Sequence, residues 1–170
     1  EHGYFKELAA KDPMTGLLNR RGLEDFLRGS SNAPYAVISV LDIDDFKAIN
    51  DTYGHLVGDR VLKSVADALV LSARDSDLVA RFGGEEFVVI LPSTSLLLAS
   101  QVAERLRELI EHAEMDVDGQ ALKVTTSIGL SVRLANERGS ADRLIKEADE
   151  CLYQAKHSGR NKVFFHSAEK

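Results

Sequence analysis

RFGGEEF, residues 81–87, sets two adjacent glycines before two adjacent carboxylates, with apolar or β-prone residues on either side. Glycine accepts a positive φ without steric cost, so Gly83-Gly84 reads as the tip of a tight β-hairpin. The arms are residues 77–82 and 86–91, which alternate well enough to be strands, and Pro92 stops the second. Side chains alternate along a strand, so Glu85 and Glu86 at the mouth point to opposite faces. A sharp turn that presents acid oxygens can hold a metal ion or a proton-transfer group. It can equally be a polar turn, and the segments around it decide.

Outward from the hairpin, YAVISVL (35–41) is a continuous apolar run of strand length, as in a central strand covered on both faces. In the segment that follows, Phe46, Ile49 and Tyr53 are spaced for a short helix packing onto that strand. Gly54 and Gly58 punctuate the chain, and residues 59–72 fit a second helix with Val61, Val65, Ala66 and Leu69 on one face. Ser93 or Ser95 can cap a long helix to about residue 114, with the stripe Ala99, Val102, Ala103, Leu106, Leu109, Ile110 and Ala113. Asp118-Gly119 signals a turn between short strands, and LKVTTSIGLSV (122–132) is a β-rich run interrupted by Gly129. A last helix fits 140–157, with Leu144, Ile145, Ala148, Cys151, Leu152 and Ala155 inward; Gly159 ends it and KVFF gives a final strand. Residues 4–10 read as the end of an upstream helix. The sum is an α/β fold, a mixed central sheet of about five strands flanked by helices.

Composition narrows the function. The 170 residues suit one domain, and the net charge of −6 argues against passive binding to nucleic acid or an anionic membrane surface. An acidic chain can still take nucleotides when metal ions bridge the charges. The single Cys151, among apolar helical neighbours, excludes an internal disulfide or multi-cysteine zinc site and reads as a core thiol. No apolar run approaches the ~18 residues of a membrane span, and no signal peptide is visible. GxxxxGK[ST] is absent, which excludes a P-loop, and the five histidines form neither an HxxxH pair nor a legible Ser-His-Asp order.

Asp42 and Asp44 stand at the C-terminal end of the first core strand, where ligands of α/β sheets gather. Two residues apart, they can share one face. If that strand lies beside the hairpin, an aspartate and a glutamate converge. Carboxylates without nearby His or Cys suit Mg²⁺ or Mn²⁺ rather than zinc. Lys47 can neutralise a phosphate, as can Lys156 and Arg160 around the basic turn 159–162. Asn50 and Asp59 can meet a purine edge; an Asp accepting from N1–H and the exocyclic amine of guanine rejects adenine. Each has a plainer reading: strand-end solvation, surface lysines, a helix end, a helix cap.

Taken together, DPMTGLLNRRG (12–22), LDIDDFKAINDTYGHLVGDRVL (41–62), ARFGGEEF (80–87), TTSIGLS (125–131) and ADECLYQAKHSGRNKV (148–163) resemble the GGDEF family of diguanylate cyclases. The match runs from about residue 11 to 165, with five motifs in family order. The resemblance implies a palm-like nucleotidyl cyclase fold, with 11–170 as the catalytic domain and 1–10 as the end of a helical stalk. It implies condensation of two GTP into cyclic di-GMP with release of pyrophosphate. The 3′-OH of one GTP attacks the α-phosphate of the other, helped by two Mg²⁺ (or Mn²⁺) ions per half-site. By motif position, Asp42, Glu85 and the carbonyl of Ile43 look like metal ligands, and Glu85 or Glu86 assists deprotonation of the 3′-OH. Lys47 looks like a charge stabiliser, Asn50 and Asp59 like guanine contacts, Lys156 and Arg160 like triphosphate contacts. Phe46, His55, Gly83 and Gly84 fall at further substrate-binding positions. Glu85 stands at a signature position where Asp or Glu is accepted, and Met14 where Leu is commoner.

Arg74 and Asp77 match the spacing of the family's inhibitory RxxD site for cyclic di-GMP, which Arg105 would complete. The resemblance also implies a homodimer, a sensory or receiver module upstream, and a domain facing the cytoplasm, whether or not a longer protein is membrane-anchored. The alternative is an inactive domain serving as a GTP or cyclic di-GMP receptor. Such domains usually lose the acidic hairpin or the lysine, and both stand in this chain. Altered base choice is a third reading, against which Asp59 argues.

Overall fold

The structure, a computed structural model, describes residues 10–29, 35–92, 94–133 and 141–166. The elements are α1 (Arg20–Gly29), β1 (Tyr35–Ile43), α2 (Phe46–Tyr53), α3 (His55–Ser72), β2 (Leu78–Arg81), β3 (Glu86–Pro92) and α4 (Leu96–His112), then β4 (Met115–Val117), β5 (Gln120–Leu122), β6 (Thr126–Arg133), α5 (Ala141–His157) and β7 (Val163–His166). Five strands form one mixed sheet in the order β2-β3-β1-β6-β7, and β4-β5 is a separate hairpin. β1 is central and antiparallel to both β3 and β6, while β7 runs parallel to β6. The expected architecture of about five strands with flanking helices is the one observed.

β3 shows why both faces are covered. Phe87, Val89 and Leu91 enter the main core with Val65 and Leu69 of α3 and Leu106 of α4, whereas Val88 and Ile90 meet Leu23 of α1 and Leu144 of α5. This is the period of two of a strand buried on both sides. Each fully buried Leu, Ile or Phe contributes about 1.5–3 kcal/mol by leaving water. A bulge in β1 between Ser39 and Leu41 shifts the register against both neighbours, which then places Asp42 opposite Glu86 and Ser127.

Gly129 lies within β6 because α5 is so close. A Cβ there would sit 1.9 Å from the Ala148 carbonyl oxygen and 2.4 Å from the Leu152 nitrogen. Cys151 is buried as expected, and desolvation pushes its thiol pKa up. Ser95 caps α4, its hydroxyl accepting from the Leu98 N–H at 3.2 Å. The Asp118-Gly119 turn takes φ of 51° and 85°, the double positive φ of a tight hairpin.

Several expectations are corrected. Gly83 and Gly84 are absent from the positive-φ positions: the 82–85 loop is wider than a two-residue turn and closes by the Phe82 N–H donating to the Glu86 carbonyl at 2.8 Å. The second helix starts at His55, not 59, because Gly54 (φ 91°) breaks α2 and accepts the Gly58 N–H at 3.1 Å. The run 122–132 is divided, with β6 beginning only at Thr126. Tyr53 and Leu109, expected inward, are 41% and 44% exposed, and Ala113 lies past the end of α4. Helix α1 was not foreseen; the Asn19 side chain caps it by accepting from the Gly22 N–H at 2.9 Å. The stalk helix expected at 4–10 lies, but for Ala10, outside the described residues. Among the described residues, no helix is long and apolar enough to cross a membrane.

Candidate active site

The end of β1 between β3 and β6 collects the acids. Asp42 is buried; the Lys156 ammonium of α5 pairs with its Oδ2, and its Oδ1 is buried without a partner. Burial pushes the Asp42 pKa up, against the pull of Lys156 and a hydrogen bond with Glu85. Burial, then the Asp42 charge, pushes Glu85 up to about 7. Glu86 is likewise raised, by burial and by Asp42. Three carboxylates thus face one ammonium, so full ionisation of the site calls for added positive charge.

Asp44 has a different part. It accepts from the hydroxyls of Thr125 and Ser127, both at 2.7 Å, and from the Asn161 N–H at 3.0 Å. Its oxygens are spent holding β1, β6 and the turn after α5 together. The aspartate pair expected from spacing therefore divides: Asp42 keeps an open oxygen and Asp44 does not.

Beside the acids lies a cleft of about 450 Å³, lined in part by Phe46, Lys47, Asn50, His55, Asp59 and Glu85. That size suits a small ligand. Lys47 is exposed and makes no ion pair among the described residues. Asn50 reaches the cleft over Gly58, where a Cβ would stand 1.8 Å from its Oδ1. Gly84 also lines the cleft, and a Cβ on it would meet nothing within 4 Å. Glu86 opens instead onto a second cleft of about 360 Å³ with Arg20, Phe82 and Asp149. The two glutamates do face opposite sides.

Other expected residues lie elsewhere. Lys156 is engaged by Asp42, and the Arg160 Nε stands 3.7 Å from Asp45 rather than on the cleft wall. Gly83 is exposed and lines neither cleft. Arg74 and Asp77 do meet: the guanidinium forks onto the Asp77 carboxylate at 2.9 and 3.1 Å and donates to the Thr94 hydroxyl at 2.9 Å. Arg105 is exposed on α4, with no bond to that pair.

Sequence reasoning missed Arg81 and Asn161. Arg81 donates to the Gly84 carbonyl at 2.7 Å and to Asp12 at 3.3 Å, tying the hairpin tip to the segment before α1. Its signal was a charged residue inside an otherwise apolar strand, with Asp12-Pro13 as the matching turn. Asn161 offered only its place in the basic turn.

Among the described residues, no three His, Cys, Asp or Glu side chains converge as a ready-made metal cage. The donor set still fits a hard divalent cation. It is all carboxylate, one oxygen of Asp42 is unpartnered, and Mg²⁺ usually completes its shell with water and substrate phosphate.

A sequence profile described as diguanylate cyclase, GGDEF domain, matches residues 9–162. The chain belongs to the GGDEF family. It is 44% identical over 163 residues to the diguanylate cyclase DgcP of Pseudomonas aeruginosa, covering 93% of this chain and 24% of that protein. It is 46% identical over 164 residues to the response regulator PleD of Caulobacter vibrioides, covering 92% and 36%. The chain thus spans a minor part of these relatives. In three dimensions it matches the coiled coil and GGDEF domain of DgcB from Caulobacter crescentus, solved in complex with c-di-GMP. The TM-score is 0.87 at 29% identity, covering 97% of this chain and 90% of that one. It also matches the diguanylate cyclase SiaD of Pseudomonas aeruginosa, solved with its activator SiaC, with a TM-score of 0.86 at 39% identity and coverage of 97% and 65%. The GGDEF signature is here Gly83-Gly84-Glu85-Glu86-Phe87, on the hairpin beside Asp42.

Proposed function

We propose that this GGDEF domain is a diguanylate cyclase, converting two GTP into cyclic di-GMP and two pyrophosphates. The observation that carries the reading is the meeting of Asp42 and the signature acids at the rim of a cleft lined by Lys47, Asn50 and Asp59. The family membership and the named activities of its relatives support it.

In this reading the guanine enters the cleft, where Asp59 accepts from N1–H and the exocyclic amine and Asn50 adds a donor and an acceptor. Phe46 and His55 line the same space. The open side of Gly84 admits close approach of a phosphate to backbone, which accounts for a glycine that neither φ nor a protein neighbour requires. Lys47, without an ion pair among the described residues, offsets charge that builds on the α-phosphate during attack. Lys156 and Arg160 contact the triphosphate after exchanging their bonds to Asp42 and Asp45.

Two Mg²⁺ or Mn²⁺ ions per half-site would polarise the α-phosphate and acidify the attacking hydroxyl. Asp42 and the Ile43 carbonyl would hold them with one of the glutamates. Sequence alone favoured Glu85 as that ligand and left the base open. The geometry supports Glu85 as the base: it lines the cleft and titrates near 7. Glu86 opens onto the second cleft, so Glu85, hydrogen-bonded to Asp42, would also be the glutamate that meets the metal. The 3′-OH proton would pass to Glu85 as the oxygen bonds to phosphorus and pyrophosphate leaves.

Each domain binds one GTP, so two domains must face each other. Arg74, Asp77 and Arg105 would bind the product as an inhibitor. A sensory or receiver module upstream would control the meeting of domains in the cytoplasm. The test is incubation of the purified protein with GTP, ATP and Mg²⁺, with chromatography of the products. Cyclic di-GMP alone is expected, and abolished by Asp42→Ala. No product at high protein concentration overturns the activity; an adenine-containing product overturns the base assignment.

A further inference from the structure

The turn after α5 adopts an unusual conformation. Gly159, Arg160 and Asn161 have φ of 114°, 61° and 49°, three consecutive residues in the left-handed region. Only glycine enters that region freely, so the arginine and the asparagine must be held there by their surroundings. Their backbone bonds are part of the answer: the Arg160 N–H donates to the Ala155 carbonyl at 3.0 Å, and the Asn161 N–H to Asp44 Oδ2 at 3.0 Å.

The Asn161 side chain supplies the rest. Its Oδ1 accepts from Arg107 of α4 at 2.9 Å, and its Nδ2 donates to Glu111 one helical turn further along. A donor on one side and an acceptor on the other fix the amide in one orientation. Arg107 is itself immobilised: its side chain is 14% exposed, paired with Glu104 and 3.6 Å from Glu111. Helix α4, which packs on β6, β7 and β1, is thus bolted through one asparagine to the turn that follows Lys156 and carries Arg160.

We infer that Asn161, held by Arg107, is the positioning residue that sets this turn, and with it Lys156 and Arg160, to receive the triphosphate of GTP. The inference rests on the proposed cyclase reading. Asn161 does not line the nucleotide cleft and acts through its neighbours. It has bonds in three directions: to β1 through Asp44, to α4 through Arg107 and Glu111, and along the backbone to Arg160. A flexible turn would carry the same charges but would have to order them at each binding event, at an entropic cost.

The test is binding of 3′-deoxy-GTP, which lacks the attacking hydroxyl and cannot turn over, compared with GMP, which lacks the outer phosphates. Both are titrated calorimetrically with Mg²⁺ into the wild-type protein, Asn161→Gly and Arg107→Met. Glycine permits the left-handed backbone and removes the side-chain amide; Arg107→Met leaves the sequence of the turn unchanged and removes the clamp. Both variants are expected to bind 3′-deoxy-GTP about tenfold more weakly, with GMP within about twofold, the size of effect when one charge-assisted hydrogen bond to the outer phosphates is removed. Equal loss for both ligands means a merely structural role and overturns the inference, as does unchanged 3′-deoxy-GTP binding by a folded Arg107→Met. Failure of the wild-type protein to bind 3′-deoxy-GTP overturns instead the cyclase reading beneath it.

Discussion

Glu85 concentrates the electrostatics of the site. Its pKa stands at about 7 rather than the ordinary 4.5, raised first by burial and then by Asp42. Between those values the folded protein binds more protons than the unfolded chain, so stability falls as pH rises through the window. Thermal melts in chelator should therefore show the wild-type protein losing stability from pH 5 to 7.5, and Glu85→Gln losing less of it. Asp42 and Glu86 shift in the same direction and remain in both proteins, so the difference belongs to Glu85. Parallel melting curves would contradict the assignment. Gly58 offers a second residue-scale prediction. Alanine is favoured over glycine within a helix by about 1 kcal/mol, yet a Cβ here would stand 1.8 Å from Asn50 Oδ1. Gly58→Ala should therefore leave the melting temperature nearly unchanged and raise the KM for GTP about tenfold, as Asn50 is driven from the base. A normal KM would remove Asn50 from the recognition set.

At the scale of elements, the pair Arg74–Asp77 joins the end of α3 to the loop before α4 through Thr94. The Asp77 side chain is 2% exposed, so loss of its partner leaves a buried carboxylate short of donors, at about 1–3 kcal/mol. Arg105 carries no such duty, being exposed and bonded to neither residue. Arg74→Ala should then both lower the melting temperature and relieve product inhibition, while Arg105→Ala relieves inhibition alone. Rates measured against added cyclic di-GMP would settle this; inhibition unchanged in both variants would leave the pair a structural clasp. The elements themselves were legible wherever one period dominated. The apolar run before Asp42, the α5 stripe and the Asp118-Gly119 turn are each local signals, and each is where the pattern puts it. Helix α1 was hidden because Arg20-Arg21-Gly22 opens it with polar residues and a weak helix former, and only the Asn19 cap marks the start. The hairpin glycines misled because conformational freedom is one use of glycine and access is another.

For the whole molecule, the limit of legibility is long-range pairing. The acids and most of the cleft residues were named from the sequence, Arg81 and Leu62 being the exceptions, but the bond of Lys156 to Asp42, 114 positions away, and that of Asn161 to Asp44, 117 away, exist only once β1 is clamped between β3 and β6. Periodicity carries no information on such contacts. The same scale decides how the product forms. Cyclic di-GMP contains two phosphodiester bonds between two nucleotides, and among the described residues Lys47, Asn50, Asp59 and Glu85 line a single shared cleft. In the proposed cyclase reading, one chain would orient one GTP, and the attacking 3′-OH would come from a nucleotide held by another. The rate should follow the concentration of dimers, so specific activity should rise in proportion to protein concentration when the domain is dilute and level off when it is mostly paired. Fusion of a parallel dimeric coiled coil ahead of residue 10 should raise the effective concentration of the partner to roughly millimolar and flatten the dependence at the plateau. Sedimentation run on the same samples would tie the rise in activity to the dimer fraction. A specific activity constant across a hundredfold dilution of the unfused domain, with monomer dominating throughout, would mean that one chain completes both bonds and that the two-half-site reading is wrong.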